Sequence, residues 1–291
     1  MLLEISICGF WVFAGVRPDS LLFLFMNWSD RVWVELALIS YLVGFAYSVY
    51  SLASHKFLTS CTSFWAIIAG FLLTTIFLFD RGHAIGRCPI TNRFEVLVFM
   101  TWSMVLIYLV IGSSYRLSLM GAFTAPVASV LLLFAVAFAP SQAAARRIKV
   151  NPWLEAHTSF SMVACGAFAL ACIAGVMFLL QERQLKTRHP SSIFYRLPPI
   201  TALSVANSRL LWLGFTLFTV GLATGFLIGD RINWVQAGWS ILVWCVYGGI
   251  IVARMRHAMA AKWVAALSIV AFSLLLSTFW GIRFISDRPS F

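Results

Sequence analysis

Histidine is the residue type in this sequence that could ligate a metal or a haem iron, because a neutral imidazole is a common protein ligand for both. Five histidines are present, and three of them lie beside lysine or arginine in polar linkers, as is typical of solvated residues: His55, His189 and His257. His83 lies in the glycine-containing segment 80–87, which also favours a surface position. His83 and His157 are the candidates that remain for binding a cofactor.

His157 differs from the other histidines because it stands at the start of the fifth apolar run, after Asn151-Pro-Trp-Leu-Glu-Ala. Trp153 indicates a membrane interface at this point. Thr158 or Ser159 could cap the helix or face a cavity. The position favours an interfacial, hydrogen-bonded histidine, and ligation of a metal or haem iron is the alternative.

The stretch from Thr219 to Trp244 joins two apolar segments through a short polar hinge that holds Asp230, Arg231 and Asn233. Three tryptophans follow along the exit from this hinge: Trp234, Trp239 and Trp244. Backbone groups without partners are costly in hydrocarbon, so the hinge is predicted at a membrane face, where tryptophan suits the headgroup region. The stretch is either a plain loop with an aromatic belt or part of a binding site.

Carboxylates near the ends of apolar segments are functional candidates, because a carboxylate inside a membrane is costly. They are Glu35, Asp80, Glu95 and Asp230. Each lies close enough to a segment end to reach water or an arginine. Glu95 is predicted to pair with Arg93, and structural anchoring is the predicted role of such pairs.

These residues belong to a chain that is 61% hydrophobic and 11% charged, with a mean hydropathy of +0.91. Such values lie far outside those of soluble globular domains and predict a polytopic membrane protein. The net charge of +11 comes from basic residues between the apolar runs, where they act as topological anchors and lipid-headgroup contacts. Membrane lipid is therefore an expected partner, and no nucleic-acid function is inferred.

The six cysteines are scattered and form neither a Cys-x-x-Cys pair nor a Cys-x-x-Cys-His haem attachment sequence. The chain is therefore neither a c-type cytochrome nor an evident thiol oxidoreductase. Cys165 and Cys172 share a helix face, and we interpret them as core residues. Gly221, Gly225 and Gly229 recur every fourth residue and predict a smooth helix face for close packing.

The elements that must position these candidates are about eight apolar windows of spanning length, all predicted to be helices. The windows are residues 33–53, 63–79, 94–112, 117–139, 158–180, 209–228, 237–253 and 263–284. The predicted fold is an all-α integral membrane helical bundle over residues 32–284. Residues 1–31 form an uncertain segment in which Met26 is an alternative start, and residues 285–291 form a short tail.

The longest polar interruption, residues 181–208, holds a proline pair and is predicted to be an irregular loop with room for a short interfacial helix. Charge leaves the orientation of the bundle open, because basic residues are divided almost equally between the two faces.

Three groups of residues together resemble the cytochrome c assembly family of polytopic membrane proteins, especially its CcsA-like and HemX-like branches. The first group contains Pro89-Ile-Thr-Asn-Arg-Phe-Glu95, which is similar to the family's P-[LI]-[ST]-N-x-x-E segment. It also contains Gly121-Ala-Phe-Thr-Ala-Pro126, which is similar to a G-A-x-x-x-P helix start. The other two groups are Glu155-Ala-His157 with Gln181-Glu-Arg183 and Asn207-Ser-Arg209, and Gly221-x-x-x-Gly225 with Trp239-Ser-Ile-Leu-Val-Trp244.

The resemblance implies that the tryptophan-rich stretch is an external loop that cradles haem and that His157 is an axial ligand of a transiently bound haem b. It places this loop, the 81–94 loop and His157 at the extracytoplasmic face of a bacterial inner membrane. The expected cofactor contacts are His157, which would ligate the iron, and Trp234, Trp239, Trp244 and His83. The implied function is handling of haem for cytochrome c maturation, with covalent attachment at the cysteines of apocytochrome c.

The protein need not be an enzyme itself and is a candidate component of a haem lyase (cytochrome c synthetase) system. Another assembly subunit and apocytochrome c are the implied partners. Two departures from the family are evident. The loop between Gly225 and Trp239 is short and lacks a W-x-W-D-P core, and the histidines that the family places after Tyr247 and after the last span are missing. They favour the alternative, a HemX-like regulatory or partner-stabilising membrane protein that no longer binds haem.

Overall fold

The computed structural model describes residues 30–53, 61–86, 88–90, 92–115, 118–138, 151–187, 199–228, 234–256 and 258–286. Regular structure within these ranges is helical throughout. In chain order the helices are α1 (Asp30–Ala53), α2 (Cys61–Ile85), α3 (Arg93–Tyr115), α4 (Ser118–Phe138), α5 (Pro152–Thr187), α6 (Ile200–Phe226), α7 (Trp234–Met255) and α8 (Ala261–Ser286). The alternative start at Met26 and residues 287–291 of the predicted tail lie outside the described residues.

Six of these helices are long and apolar enough to cross a membrane, judged by length and composition. They are α1, α2, α3, α5, α6 and α7. In the described parts of α4 and α8 the apolar segments are shorter, at Phe123–Phe138 and Ala261–Leu276. The chain is therefore a multi-pass helical membrane protein, and the predicted all-α class is confirmed.

The predicted irregular loop over residues 181–208 is wrong at both ends. α5 continues past residue 181, because its last turns contain good helix formers and the Lys186 ammonium pairs with the Glu182 carboxylate at 2.8 Å across one turn. α6 begins directly after Pro199, which is its N-cap residue. Falling hydropathy marks where a membrane segment ends, and both helices extend beyond that point.

Two compact units divide the chain, Met1–Val163 and Ala164–Phe291, and the boundary falls inside α5. Unit 1 contains α1 to α4 and the first turns of α5, whereas unit 2 contains the rest of α5 with α6 to α8. In unit 1, α1 packs against α2 and α4, and α3 packs against α4. In unit 2, α7 packs against α6 and α8.

A glycine allows two helices of unit 1 to approach closely. A Cβ atom on Gly121 of α4 would lie 2.5 Å from the hydroxyl of Tyr108 on α3, so a larger residue would displace the Tyr108 side chain from its buried position. The Gly121–Pro126 segment lies in the first turns of α4, which begins at Ser118 as the apolar window 117–139 predicts, and Pro126 is inside the helix. Trp102 completes this core by donating its indole N–H to the Thr75 hydroxyl at 2.8 Å.

A neutral hydrogen-bond network joins three helices in the interior of unit 2. Asn207 on α6 donates its side-chain amide to the carbonyl of Ala171 on α5 at 2.7 Å and to the Ser268 hydroxyl on α8 at 3.1 Å. Ser268 in turn donates to the carbonyl of Ala265 at 2.8 Å. A Cβ atom on Gly175 of α5 would lie 2.9 Å from that carbonyl oxygen, so the glycine allows α5 and α8 to meet.

The remaining predictions about packing concern α5 and α6. Cys165 is a buried free thiol and Cys172 a half-buried one, in agreement with the predicted packing role. Of the predicted glycine face, Gly221 is buried and Gly225 is half-buried, whereas Gly229 lies outside the described residues.

Candidate functional site

The first turn of α5 is set by a cap that fixes where His157 stands. Asn151 accepts the backbone N–H of Trp153 on its side-chain oxygen at 3.1 Å, and the proline that follows Asn151 is the first helical residue. The predicted cap at Thr158 or Ser159 is wrong, because the helix has already begun before them. His157 therefore lies within the second turn of a capped helix.

The loop between α2 and α3 is fastened to one face of α5. The backbone N–H of Cys88 donates to the Glu155 carboxylate at 3.4 Å, and the Cys88 sulfur lies 3.6 Å from the Ser159 hydroxyl. Glu155 and Ser159 are one turn apart on the same face of the helix. Cys88 and Ser159 are both buried. These contacts of Cys88, Glu155 and Ser159 are termed the loop clasp.

His157 lies on the other side of α5 from the loop clasp, because two residues turn an α-helix by about 200°. Its side chain is half-buried. Trp153 and Ser161 flank it on the same face, one turn before and one turn after. The Ser161 hydroxyl oxygen is buried and has no hydrogen-bond partner within the described part of the chain. This face therefore presents an imidazole, an indole and an unsatisfied hydroxyl.

An ion pair ties the end of α2 to the start of α3. The Arg81 Nε donates to Glu95 Oε1 at 2.8 Å, and the Glu95 side chain is only 1% exposed. Asn92 caps α3 by accepting the backbone N–H of Glu95 at 2.8 Å, and its amide donates back to the carboxylate at 3.3 Å. The predicted pairing of Glu95 with Arg93 is wrong, because the Arg93 side chain is exposed while the carboxylate is buried against α2.

His83 lies in the last turn of α2, since that helix continues to Ile85. Its exposed ring meets the ring of Phe79 edge-on, with centroids 4.3 Å apart. It follows Arg81 by two residues and so faces away from the ion pair. The structure therefore keeps His83 at the surface, and the described contacts do not bring it to His157.

The three tryptophans of the predicted loop belong to α7 in unit 2. Trp234 is the first residue of that helix, and its side chain lies outside the described residues. Trp244 donates its indole N–H to the Thr219 hydroxyl at 2.9 Å and tilts over the Phe215 ring. Trp239 is half-buried, and its buried indole nitrogen has no hydrogen-bond partner among the residues described.

Trp239 and Trp244 stand on different sides of α7, because five residues turn a helix by about 140° beyond a full turn. Trp244 is a packing residue with a satisfied N–H group, whereas Trp239 keeps a buried donor available. The polar hinge that precedes them, residues 229–233, lies outside the described part of the chain.

The described side chains can be compared with what a metal ion and a haem each require. Within the described ranges, no three histidine, cysteine, aspartate or glutamate side chains gather to hold a metal ion. Haem needs fewer protein ligands, because the porphyrin surrounds the iron and the protein adds only one or two axial ligands. His157, at the start of a capped helix and half-buried, is a side chain of the right chemistry for that task.

These features define a multi-pass α-helical membrane protein with polar clusters at helix ends and a histidine near the start of its longest described helix. The sequence profile of the family described as Cytochrome C assembly protein matches residues 90–288, which is more than half of the chain. The chain belongs to this family, and the predicted resemblance is confirmed.

Individual relatives are similar over most of their length. Cytochrome c biogenesis protein CcsA of Trieres chinensis is 24% identical over 303 residues, covering 89% of this chain and 96% of the relative. Cytochrome c biogenesis protein CcsA of Prochlorococcus marinus is 24% identical over 299 residues, covering 91% and 94%. Protein HemX of Brevibacillus brevis is 26% identical over 235 residues, covering 75% and 83%. Both branches of the predicted family are thus represented.

Proposed function

We propose that this chain acts in cytochrome c assembly and handles haem at the extracytoplasmic face of a bacterial inner membrane. Two supports come from the family profile and from relatives whose names state cytochrome c biogenesis. The observation that carries the proposal is the placement of His157, half-buried near the start of α5 and on the face opposite the loop clasp.

The immediate surroundings of His157 agree with a ligand role. The loop clasp holds the far side of α5, so the imidazole lies on the face that the 88–90 segment does not cover. The indole of Trp153 on the same face offers an apolar surface for a porphyrin, and tryptophan suits the membrane interface. The Ser161 hydroxyl, which has no partner among the described residues, adds a polar group one turn deeper.

In unit 2, the indole N–H of Trp239 is a buried donor that no described residue satisfies. A carboxylate would satisfy this donor, because a carboxylate accepts such a bond strongly and a buried donor without a partner is costly. Trp244 supports α7 through Thr219 and Phe215, and Trp234 begins the same helix. His83 is exposed at the surface of unit 1 and serves as the comparison residue for His157.

The proposed mechanism is ligation and presentation of haem. When bound, haem b would supply an iron that accepts a nitrogen ligand. His157 would hold it by donating the lone pair of its imidazole. Covalent attachment takes place at the cysteines of apocytochrome c, so the chain acts with that partner and with another assembly subunit, and it need not be an enzyme itself.

The test is the Soret absorbance of the full chain purified from haem-replete cells. The wild type and His83→Ala are expected to carry haem, whereas His157→Ala is expected to lose the Soret band and to regain part of it with added imidazole. Both substitutions remove a histidine from unit 1, so the comparison separates ligation from general damage. Haem retained by His157→Ala would overturn the assignment of His157 as the haem ligand.

A wild-type chain without haem would overturn haem handling altogether and favour the second function, a HemX-like regulatory or partner-stabilising role. Two observations favour that alternative. The relative named Protein HemX covers 75% of this chain. The connection between α6 and α7 is short, since α6 ends at Phe226 and α7 begins at Trp234. Co-purification of another assembly subunit with a haem-free chain would support it.

A further inference from the structure

One end of unit 2 carries many cations and few carboxylates. At this end α7 finishes, α6 and α8 begin, and α5 runs on past them. Within the described residues the cations here are Arg183, Lys186, Arg254, Arg256 and Lys262, and the carboxylate is Glu182, which pairs with Lys186 at 2.8 Å. A surface with this charge balance, next to apolar helix faces, suits a partner that is both anionic and lipophilic.

The hydrogen bonds of Asn207 show which cations lie near the membrane. They align Asn207 with Ala171 and Ser268, and α6 and α8 each begin about 10 Å before these residues. α5 continues for about 24 Å beyond Ala171. Lys186, near its end, therefore lies well beyond the first residues of α6 and α8, whereas the end of α7 lies level with them.

Arg254 is held at this level by a hydrogen bond from its Nη2 to the Ser204 hydroxyl on α6 at 3.1 Å. This bond uses one of the five N–H donors of a guanidinium, and the planar group matches the oxygens of a phosphate. Among the described residues Arg254 has no carboxylate partner. Its side chain is half-buried, so the guanidinium is positioned before any ligand arrives.

Lys262 and Trp263 stand directly across the turn from the end of α7. At the end of α7 the N–H of Arg256 is bonded to the Val252 carbonyl at 3.0 Å, and the N–H of Ala258 is bonded to the Ala253 carbonyl at 3.1 Å. The Lys262 ammonium lies 5.4 Å from the centre of the Trp263 ring, and the tryptophan is 56% exposed. An exposed tryptophan beside a lysine is typical of the headgroup level of a bilayer.

Beside these cations α7 also presents apolar side chains: Val252 lies one turn before Arg256 on the same face, and Met255 borders that face. Val252 and Met255 are exposed, the latter by 59%. Exposed apolar side chains in a membrane protein face lipid tails, so the cations and this apolar wall would contact the head and the tail of one molecule. A free phosphate ion would use the cations alone.

We propose that Arg254, Arg256, Lys262 and Trp263 form a binding surface for an anionic phospholipid, with the headgroup phosphate on the guanidinium and ammonium groups. The acyl chain lies along Val252 and Met255. Each cation near an anionic surface raises the binding affinity about fivefold, so a pair of cations raises it about 25-fold. This surface does not depend on haem handling, and its test leaves that question untouched.

The experiment measures lipid retention by the full chain in detergent micelles doped with phosphatidylglycerol or phosphatidylcholine. Native mass spectrometry counts the lipids that stay bound. The wild type is expected to retain phosphatidylglycerol over phosphatidylcholine, and the double variant R254Q/K262Q is expected to lose that preference by about 25-fold. Equal retention of the two lipids by the wild type would overturn the proposal.

Lys186→Gln is the matched control, because it removes the same charge from the same end of unit 2 at a residue already paired with Glu182. It is expected to keep the preference, and a loss as large as that of the double variant would contradict the specific surface. The charge-conserving variant R254K/K262R separates charge from folding and is expected to retain phosphatidylglycerol. Displacement of the lipid by millimolar inorganic phosphate would overturn the lipid assignment in favour of a free-anion site.

Discussion

The two units place polar groups in a low-dielectric interior in different ways. Unit 1 buries a charged pair, Arg81 and Glu95, but only where α2 ends and α3 begins, so that the cap at Asn92 shares the carboxylate. Unit 2 buries a neutral amide, Asn207, well inside its helices and satisfies it with a carbonyl and a hydroxyl. Of these two buried clusters, the charged one lies at helix ends, while the deeper one uses a group that carries no net charge.

The physical reason is the cost of desolvation. A buried ion requires a partner and further hydrogen bonds, and helix ends supply free backbone N–H groups and nearby water. An amide needs only its hydrogen bonds, which any helix carbonyl can provide. The comparison therefore predicts that removing one partner of a buried polar contact lowers the free energy of unfolding more in unit 1 than in unit 2.

The largest effect is expected from removing one charge of the pair in unit 1. Arg81→Ala leaves the Glu95 carboxylate buried without its cation and should lower the free energy of unfolding by about 3–5 kcal/mol. Thermal unfolding in detergent, followed by circular dichroism, measures this. Arg93→Ala, which removes an exposed arginine from the same helix end, should change stability by less than about 0.5 kcal/mol. Equal effects of the two substitutions would contradict the assigned pair.

A smaller effect is expected at the close approach of α5 and α8. Gly175→Val places a side chain against the Ala265 carbonyl, which is backbone and cannot rotate away, so the helices must separate. We expect a loss of about 1–3 kcal/mol in the same unfolding assay. Gly249→Val is the control, because a Cβ atom there meets nothing within 4 Å. A control as destabilised as Gly175→Val would show that any branched residue weakens these helices.

The neutral network of unit 2 should give the next effect. Asn207→Ala removes two hydrogen bonds and should lower stability by about 1–2 kcal/mol, since bonds between membrane helices are modest individually. Ser208→Ala is its neighbour control, because the Ser208 hydroxyl bonds only within its own helix, to the Ser204 carbonyl at 3.0 Å. If Asn207→Ala lowered stability as much as Arg81→Ala, the proposed difference between burying a charged pair and burying a neutral amide would be wrong.

The smallest effect distinguishes the two tryptophans of α7. Trp244→Phe breaks the bond to Thr219 and should cost about 0.5 kcal/mol more than Trp239→Phe, which breaks no hydrogen bond to a described residue. Both substitutions remove a similar area, so their difference isolates the hydrogen bond. Trp239→Phe should leave the unfolding temperature of the purified chain unchanged. If Trp239→Phe lowered stability as much as Trp244→Phe, the indole N–H of Trp239 would not be an available donor.

The sequence was sufficient for the fold class and the family but not for the contacts. Long apolar runs predict membrane helices because the bilayer demands them, and motif order predicts the family. Glu95 was recognised as an anchor, yet its partner Arg81 lies on another helix, and no local spacing reveals a pairing across a loop. The loop clasp is harder still, since Cys88 and Glu155 are 67 residues apart in the chain.

Helix ends were also mispredicted for a definite reason. Hydropathy falls where α5 leaves the bilayer, but helix propensity does not, so the helix continues through Gln181 and Lys186. At the other end, Asn151 with the following proline is a recognisable start signal that outweighs Thr158 and Ser159. For the candidate site, the position of His157 at this helix start follows from the sequence, whereas the face it occupies required the contacts of Cys88.

The loop clasp allows local opening of the protein to be measured by chemical labelling. The Cys88 thiol is buried and contacts the Ser159 hydroxyl, so a maleimide can reach it only while residues 88–90 are lifted from α5. Arg93→Cys, at an exposed position at the start of α3, labels without such a wait and calibrates the reagent. The ratio of the two labelling rates gives the fraction of time for which the contacts of the loop clasp are broken. That fraction gives the free energy of this local opening at equilibrium, without a denaturant.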